Sequence, residues 1–295
     1  MTKPLILIKK MIKNYHAINV INGLSWKVQQ GQIVALLGKN GAGKSTLLEC
    51  IMNIRQFQSG ELMLWGYSWD DLPQEKRVKI AYVSQETQGF EWMRSHDFID
   101  YIGGFFPTYD KEYAKKLLLD WGVVADQKIE ELSKGQKQIV HVIQALSVKP
   151  ELLILDEPVA HLDTALRRKF IAELVDLTCE KKMTVLFSSH IISDVERIAS
   201  HVSILDNKRI KLTYSTEELK NSIAHLKIAA DKPLEQIDYY KDLCHWQSYA
   251  QGATAKIIKP LAGGIQAFVK NAPHKIEYTP MTLEDWYLEV GREKV

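Results

Sequence analysis

The chain has 295 residues, of which 46% are hydrophobic and 25% charged, a composition typical of a globular protein and too apolar for a disordered one. Lys and Arg number 38 and Asp and Glu 36, so the formal net charge is only +2 and we expect no nucleic-acid partner. No apolar stretch reaches the length of about 18 residues that a membrane-spanning helix needs, so the sequence predicts a cytoplasmic location. At roughly 150 residues per domain, the length predicts about two domains.

Most of the chain alternates between predicted strands and predicted helices. Short apolar or alternating runs predict strands at residues 5–8, 24–28, 32–37, 79–83, 152–155, 184–188 and 201–205. Helical spacing of apolar residues is found at 46–54, 111–121, 134–147 and 165–179. Strands that alternate with helices in this way predict an α/β fold with a mostly parallel sheet.

A glycine-rich loop joins the third predicted strand to the first predicted helix. Its residues 38–45 fit the pattern G-x-x-x-x-G-K-[ST] in full, with Lys44 placed to reach the β and γ phosphates and Ser45 to bind Mg²⁺. Glycines let backbone N–H groups turn inward around phosphate oxygens, and the helix adds the positive end of its dipole. A glycine-rich turn that binds nothing explains neither the fixed positions nor the flanking elements. We therefore predict a phosphate site formed by Gly38, Asn40, Gly41, Ala42, Gly43, Lys44, Ser45 and Thr46.

Two carboxylates follow the apolar strand predicted at 152–155. Because side chains alternate along a strand, Asp156 and Glu157 can serve different tasks. One can bind Mg²⁺ through water while the other faces an attacking water. An acidic turn is the alternative, but it gives no reason for two acids at the end of an apolar strand.

The segment Leu132-Ser133-Lys134-Gly135-Gln136-Lys137-Gln138, whose serine lies 23 residues before Asp156, resembles the signature motif of ATP-binding-cassette (ABC) transporter ATPases. Ser133 and Gly135 precede a predicted helix, so a hydroxyl, backbone N–H groups and a helix dipole could converge on one anion, although Ser133 could equally be only a helix cap. The resemblance to this family runs from about residue 5 to 210. Two positions depart from it, because Lys134 replaces the first glycine of the motif and Ala160 replaces a common serine.

The resemblance implies catalytic and metal-binding roles. Glu157 would polarise the attacking water, and His190 would orient that water and contact the γ-phosphate. Lys44, together with Mg²⁺, would offset the charge of the transferring phosphoryl group. Gln85 and Asp156 would join Ser45 as Mg²⁺ ligands, with Gln85 also reporting the state of the site to a membrane partner. Without this context, His190 would more often be an ordinary histidine.

The resemblance also implies contacts with ATP outside the phosphate loop. Tyr15 would stack on adenine, although a lone tyrosine is more often a packing residue. Ser133, Gly135, Gln136 and Asp163 would lie at the ATP held by the phosphate loop of a second cassette. Since the chain holds one copy of each motif, it would need a partner cassette, either a second copy of itself or a relative.

The implied domain organisation is unequal. Residues 1–212 would form an ABC cassette of the P-loop NTPase class, with an antiparallel β subdomain and a helical subdomain at about 86–147. Residues 213–295 would form a small α/β accessory domain, whose effect on dimer contacts or regulation is a hypothesis. In it we predict a helix at 215–221, strands at 226–230, 254–258 and 265–269, and a helix at 281–290 that Thr282 caps.

The family implies an ATPase that powers a separate integral membrane permease at the inner face of the cell membrane. The stretch Phe105-Phe106-Pro107-Thr108-Tyr109-Asp110 resembles cassettes of ABC-2 type exporters, so export is the predicted direction. One alternative is a soluble ABC ATPase that acts on the ribosome, although such relatives usually carry two cassettes in one chain. A regulatory subunit that does not hydrolyse ATP is a further alternative, against which Glu157 and His190 argue.

Overall fold

The computed structural model describes residues 3–86, 89–181 and 183–292, without the side chains of residues 179–181 and 292. The chain divides into two compact units, Met1–Thr213 and Tyr214–Val295. The helical subdomain predicted at about 86–147 includes residues 87 and 88, which lie outside the described residues. Nowhere in the described ranges is a helix both long enough and apolar enough to cross a bilayer.

The first unit is a mixed α/β structure. Its strands are β1 (Ile6–Tyr15), β2 (Ile18–Val28), β3 (Ile33–Leu37), β4 (Ser59–Leu64), β5 (Ile80–Val83), β6 (Leu152–Leu155), β7 (Thr184–Ser188), β8 (His201–Asp206) and β9 (Arg209–Ser215). Its helices are α1 (Lys44–Ile51), α2 (Gln74–Arg77), α3 (Ser95–Gly103), α4 (Lys111–Asp120), α5 (Lys134–Ser147), α6 (Thr164–Lys181) and α7 (Ile192–Ile198). A short 3-10 turn lies at Ile129–Glu131.

Three loops lie at the carboxyl ends of neighbouring strands in the central sheet. Its strand order is β5-β6-β7-β3-β8-β9, and the pairs from β5 to β8 are parallel. Every residue of β3, β6 and β7 is buried, as expected for parallel strands that are covered on both faces. Since parallel strands end on the same side, the loops that follow β3, β6 and β7 lie next to one another.

A second, antiparallel sheet has the order β2-β1-β4. Its apolar side chains, such as Leu24 and Leu62, share one core with Leu36 of β3 and Leu47 of α1. Between Lys13 and Asn14 of β1 the register shifts by one residue, because their partners on β2 are Ile21 and Asn19. Such a bulge changes the direction of the strand locally.

The helical part of the first unit packs α5 against both α3 and α4. Apolar side chains at helical spacing on α5, including Ile139, Ile143 and Leu146, are buried. Phe98 of α3 and Leu117 of α4 are buried as well. The strong apolar face of α5 explains why its bounds could be predicted from the sequence without error.

The second unit contains α8 (Thr216–Lys220), β10 (Ala224–Ala229), β11 (Cys244–Tyr249), β12 (Gly252–Ile257), α9 (Gly264–Lys270), β13 (Lys275–Pro280) and α10 (Leu283–Arg292), with a 3-10 turn at Asp238–Tyr240. Its four strands form an antiparallel sheet in the order β11-β12-β10-β13. This is the strand order of the ferredoxin-like βαββαβ pattern, with the 3-10 turn in place of the first helix. A core around Leu226, Tyr240 and Ile257 covers one face.

One predicted element of the second unit is wrong. Residues 265–269 belong to helix α9 and not to a strand. Ile265 is buried in the core of this unit, with Phe268 and Val269 packed against it, which is helical spacing. The prediction that Thr282 caps the last helix is confirmed, because Thr282 Oγ1 accepts a hydrogen bond of 3.1 Å from Asp285 N.

Candidate functional site

The glycine-rich loop forms a tight turn at the start of α1. Gly41 and Gly43 have φ values of +78° and +102°, which only glycine adopts freely, and Gly43 is the N-cap of the helix. Gly38 lies so close to the backbone that a Cβ there would come within 2.7 Å of Leu205 O. Ala42 N donates to Lys39 O across the turn at 3.0 Å. The loop can therefore aim backbone N–H groups and a helix N-terminus at one anion.

The other predicted residues of the loop lie around this turn. Asn40 is exposed, and the side chains of Ser45 and Thr46 are half-buried in the first turn of α1. Ser45 is thus placed where its hydroxyl can reach a cation beside a bound phosphate.

Lys44, Glu157 and His190 form a connected group of ionisable side chains. Lys44 Nζ donates to Gly38 O at 2.9 Å and lies 3.5 Å from Glu157 Oε1. The other oxygen, Glu157 Oε2, is 2.7 Å from His190 Nδ1. The Lys44 and Glu157 side chains are each only 7% exposed, whereas that of His190 is 53% exposed. A buried carboxylate thus contacts a buried ammonium on one side and a solvent-facing imidazole on the other.

Ser188 fixes the two adjacent acids relative to each other. Its hydroxyl donates to Asp156 Oδ1 at 2.6 Å and accepts from Glu157 N at 2.8 Å. Ser188 is the last residue of β7, the strand next to β6, and it is fully buried. The sequence analysis gave Ser188 no role, although a small polar residue at the end of an apolar strand, two positions before His190, was a usable signal.

The backbone of Glu157 is in the left-handed region, with φ at +50°. A residue other than glycine rarely adopts this conformation, and it persists only where the surrounding structure imposes it. The hydrogen bond from Glu157 N to buried Ser188 is one such constraint. The turn at Glu157 sets the directions of the two carboxylates.

Tyr15 lies at the end of β1, in the hairpin next to the phosphate loop. It is paired with Ile18, and its side chain is half-buried. Val20, in the bulge of β2, reaches the phosphate loop, since a Cβ on Gly43 would lie 2.9 Å from Val20 Cγ1. The hairpin therefore adjoins the phosphate loop at Gly43.

The signature segment forms the N-terminus of α5. Ser133 Oγ accepts a hydrogen bond from Gln136 N at 3.2 Å, while Gln136 Oε1 accepts one from Ser133 N at 3.0 Å. Because Ser133 Oγ acts as an acceptor in this capping box, its O–H remains a donor for an anion. Gly135 lies against the loop at residues 160–163, where a Cβ would come within 2.4 Å of His161 O. Within the described ranges, no hydrogen bond joins Ser133 or Gln136 to the phosphate loop.

Gln85 is exposed and lines a cleft of about 370 Å³ with Lys134, Lys137, Gln138, His161 and two acids. Gln138 Nε2 donates to Ser84 O at 3.5 Å, and Lys137 Nζ lies 3.3 Å from Glu91 Oε1. The structure therefore brings Gln85 to the signature segment of the same chain. Among the described contacts, none joins Gln85 directly to Lys44 or Glu157.

Asp163 caps the start of helix α6 and is linked to the segment after His190. Its Oδ1 accepts from Leu166 N at 2.9 Å. Arg167 NH1 lies 3.5 Å from Asp194 Oδ2, a side chain that is only 5% exposed, on α7. The pKa of Asp194 is raised above its ordinary value, because the effect of burial exceeds the opposing effect of Arg167 and Arg197. The loop that holds Asp163 is thus tied to the helix that follows His190.

The comparisons with known proteins agree with this geometry. A family model described as "ABC transporter" matches residues 21–160. YxlF of Bacillus subtilis, named an uncharacterized ABC transporter ATP-binding protein, is 33% identical over 72% of this chain and 72% of its own. YhaQ, a protein of the same description and organism, is 28% identical over 97% of this chain and 98% of its own. GlnQ of Escherichia coli, a glutamine transport ATP-binding protein, is 30% identical over 68% of this chain and 88% of its own.

Similarity of fold accompanies similarity of sequence. A solved structure described as the ATP-binding subunit of an ABC transporter is 27% identical and covers 73% of this chain and 92% of its own, with a TM-score of 0.66. These relatives are named ABC transporter ATP-binding proteins or transport ATP-binding proteins, and the solved structure is an ATP-binding subunit of an ABC transporter. ABC cassettes bind ATP and dimerise, and their ATP hydrolysis is coupled to transport. The chain is therefore an ATPase that belongs to the family of ABC transporter ATP-binding proteins.

Proposed function

We propose that this ATPase powers an exporter of the ABC-2 type, as one half of a head-to-tail cassette dimer bound to a separate integral membrane permease. The observation that carries the catalytic part is the contact of the buried Glu157 carboxylate with Lys44 and with His190. On this proposal the chain works in the cytoplasm, held at the inner face of the cell membrane by the permease.

The proposed reaction assigns one task to each of the three residues. Glu157 polarises a water and accepts its proton as the oxygen attacks the γ-phosphorus, and the bond to the ADP oxygen breaks. His190 lies 2.7 Å from Glu157 and faces solvent, so it can orient that water and contact the γ-phosphate. Lys44 and the loop N–H groups stabilise the charge on the phosphoryl oxygens.

Ser45, Asp156 and Gln85 would hold Mg²⁺, because all three offer the oxygen ligands that this ion prefers. Asp156 Oδ1 accepts from Ser188, and among the described residues its Oδ2 accepts no hydrogen bond, so that oxygen can bind a metal-held water. Few protein ligands are required, since Mg²⁺ at nucleotide sites is held largely by phosphates and waters. The ion would supply charge neutralisation on the phosphate oxygens.

Ser133, Gly135, Gln136 and Asp163 are assigned to the ATP of the partner cassette. The support is the donor arrangement at the start of α5, where Ser133 retains a free O–H beside a helix N-terminus. Tyr15 is assigned to the adenine of the chain's own ATP, since its hairpin adjoins Gly43.

An exposed aromatic patch supports the proposed docking to a permease. We define the patch as Phe90, Trp92, Tyr101 and Phe105, which are 39%, 68%, 50% and 67% exposed. The ring of Tyr101 contacts those of Phe90 and Phe105, with centroids 5.7 Å and 5.5 Å away. These three rings in contact form one apolar surface, and an apolar surface on a helical subdomain is typical of a protein-binding face.

The proposed direction of transport is export. It rests on the resemblance of residues 105–110 to ABC-2 exporter cassettes, whereas the relatives of this chain include importers. Import is therefore the second candidate, and a soluble ATPase that acts on the ribosome is the third.

The test is purification of the tagged chain from native membranes, with identification of the integral membrane protein that accompanies it. A variant with Trp92→Ala and Phe105→Ala should lose that protein yet keep its ATPase activity in solution. The matched control is Leu119→Ala, another apolar side chain of the helical part, which is 81% exposed. Recovery of ribosomes in place of a membrane protein would contradict the proposal, and a co-purified solute-binding import system would contradict export.

A further inference from the structure

Lys13 places a buried cation beside the ring of Tyr15. The two side chains are two residues apart on β1 and so lie on the same side of the strand. Lys13 is only 8% exposed, and its Nζ lies over the Tyr15 ring, 4.6 Å from the centroid. This distance is within the range of a cation–π interaction.

The ammonium of Lys13 is fixed from the other side by the backbone. Its Nζ donates to Gln56 O at 2.7 Å. Two residues on, Gln58 N donates to Ile12 O at 2.8 Å, and Asn14 N donates to Gln58 Oε1 at 2.7 Å. Residues 56–58 therefore hold both the strand and the ammonium in place. Arg55 is a more distant cation, with Cζ at 6.0 Å from the ring and Nε bound to Glu49 Oε2 at 3.1 Å.

We propose that Lys13 is a positioning residue for the base of the nucleotide. The ammonium covers one face of the Tyr15 ring and restricts its rotation, so a planar base stacks on the opposite face. A positive charge behind the ring also strengthens its attraction for an electron-rich purine. This inference rests on the proposed function, since it requires Tyr15 to be the base-stacking residue.

The experiment separates affinity for the base from affinity for the phosphates. Dissociation constants for ATP and for inorganic tripolyphosphate, both with Mg²⁺, are measured on the full chain and on Lys13→Met, Tyr15→Leu and the double variant. Lys13→Met should weaken ATP binding roughly three- to thirtyfold and leave tripolyphosphate binding within about twofold. In the Tyr15→Leu background, the same change should have no further effect on ATP. Lys9→Met, which removes an exposed lysine from the same strand, should leave both constants unchanged.

The variant Lys13→Gln is the control for a folding defect in Lys13→Met. The glutamine amide is one bond shorter than the lysine side chain, but it keeps an N–H donor on the side of Gln56 O and carries no charge. We expect this variant to keep the wild-type free energy of unfolding and to lose the base-dependent part of the affinity. A folded Lys13→Gln protein with an unchanged ratio of the ATP and tripolyphosphate constants would overturn the inference.

The remaining outcomes separate this inference from the function it rests on. If Tyr15→Leu weakens ATP alone while Lys13→Met weakens both ligands equally, Lys13 only supports the strand and the inference fails. If Tyr15→Leu leaves the ratio unchanged, the proposed adenine site itself is wrong.

Discussion

Glu157 contacts two basic side chains in different surroundings, buried Lys44 and solvent-facing His190. These two contacts fix the position of the Glu157 carboxylate, although the glutamate side chain has several rotatable bonds. Ser188 also fixes the backbone, because its hydroxyl accepts a hydrogen bond from Glu157 N. The general-base role proposed for Glu157 therefore predicts a large effect for a small chemical change.

Glu157→Gln keeps the shape of the side chain and removes the proton acceptor. We expect steady-state ATP hydrolysis to fall by about 10² to 10⁴, the range typical of a lost general base. ATP binding should remain, because the phosphate loop is unchanged, and an ATP-bound dimer should accumulate on size-exclusion chromatography. Glu75→Gln, an exposed glutamate of α2, is the control and should hydrolyse ATP at the wild-type rate. Equal turnover in the two variants would show that Glu157 is not the base.

At the scale of elements, helix α5 packs closely against the loop before α6. Gly135 leaves no room for a Cβ, which would sit 2.4 Å from His161 O, so the two segments are in direct backbone contact. This contact couples the helix that presents Ser133 to the loop that presents Asp163.

Gly135→Ala should force these segments apart. Overpacking of this kind costs about 1 to 3 kcal/mol of folding free energy, measured by urea unfolding, and the ATPase rate should fall with it. Gly104→Ala is the matched control, because Gly104 has helical backbone angles and its nearest neighbour would be at an ordinary 3.4 Å. Wild-type stability and activity in Gly135→Ala would mean that the loop can move aside at no cost.

Helix α5 also carries an acid-sensitive residue. His141 packs against Phe98, with ring centroids 4.8 Å apart, and burial lowers the pKa of His141 from its ordinary 6.5 to about 4. The unfolded chain then binds a proton that the folded chain does not, so stability falls as pH drops from 6.5 towards 4 and is constant above.

The pH dependence can be assigned by substitution. The free energy of unfolding of the wild type should be about 2 kcal/mol lower at pH 5 than at pH 7 through His141. His141→Leu should remove this part of the slope, while His225→Leu, which replaces an exposed histidine, should keep it. A slope that survives in His141→Leu would place the acid sensitivity at other groups.

Elements whose apolar residues are strongly periodic or fully buried could be predicted from the sequence. Elements with a short or interrupted pattern could not. Helix α5 and strands β6 and β7 have the predicted bounds, because their apolar patterns are long or fully buried. Helix α9 was predicted as a strand, since five mostly apolar residues fit either period. Strand β11 was missed because a register shift after Cys244 breaks its alternation.

The candidate site could be predicted to the level of residues but not of contacts. The phosphate-loop motif predicted Lys44, and the family resemblance predicted the roles of Glu157 and His190. The contacts among the three depend on loops after separate strands. Ser188 and Lys13 were missed, because their importance comes from what lies beside them in space. No pattern along the chain relates Lys13 to Gln56.

At the scale of the whole molecule, the proposed dimer makes each ATP site the product of two chains. The phosphate loop with Glu157 supplies one half, and Ser133 of the other chain supplies the second. A symmetric dimer of this kind contains two equivalent composite sites. Damage to either half in every chain would therefore disable both sites.

Mixing two inactive variants tests this arrangement. Lys44→Ala damages one half of the site and Ser133→Arg the other, so neither alone should hydrolyse ATP. On mixing, half of the dimers carry both variants and hold one intact site each, so about a quarter of the wild-type activity should return. Lys44→Ala mixed with Glu157→Gln damages the same half twice and should recover nothing. Recovery in the second mixture, or none in the first, would contradict the head-to-tail dimer.

Because Glu157 has a left-handed backbone conformation, the residues that favour folding at position 157 differ from the residue that catalysis requires. Glycine and asparagine adopt a φ of +50° with little strain, whereas valine and isoleucine are strained in this conformation. In a library saturated at position 157, we expect glycine and asparagine variants to give more folded protein than the β-branched ones. A screen that reads folded yield would thus favour residues that a screen for ATP turnover discards.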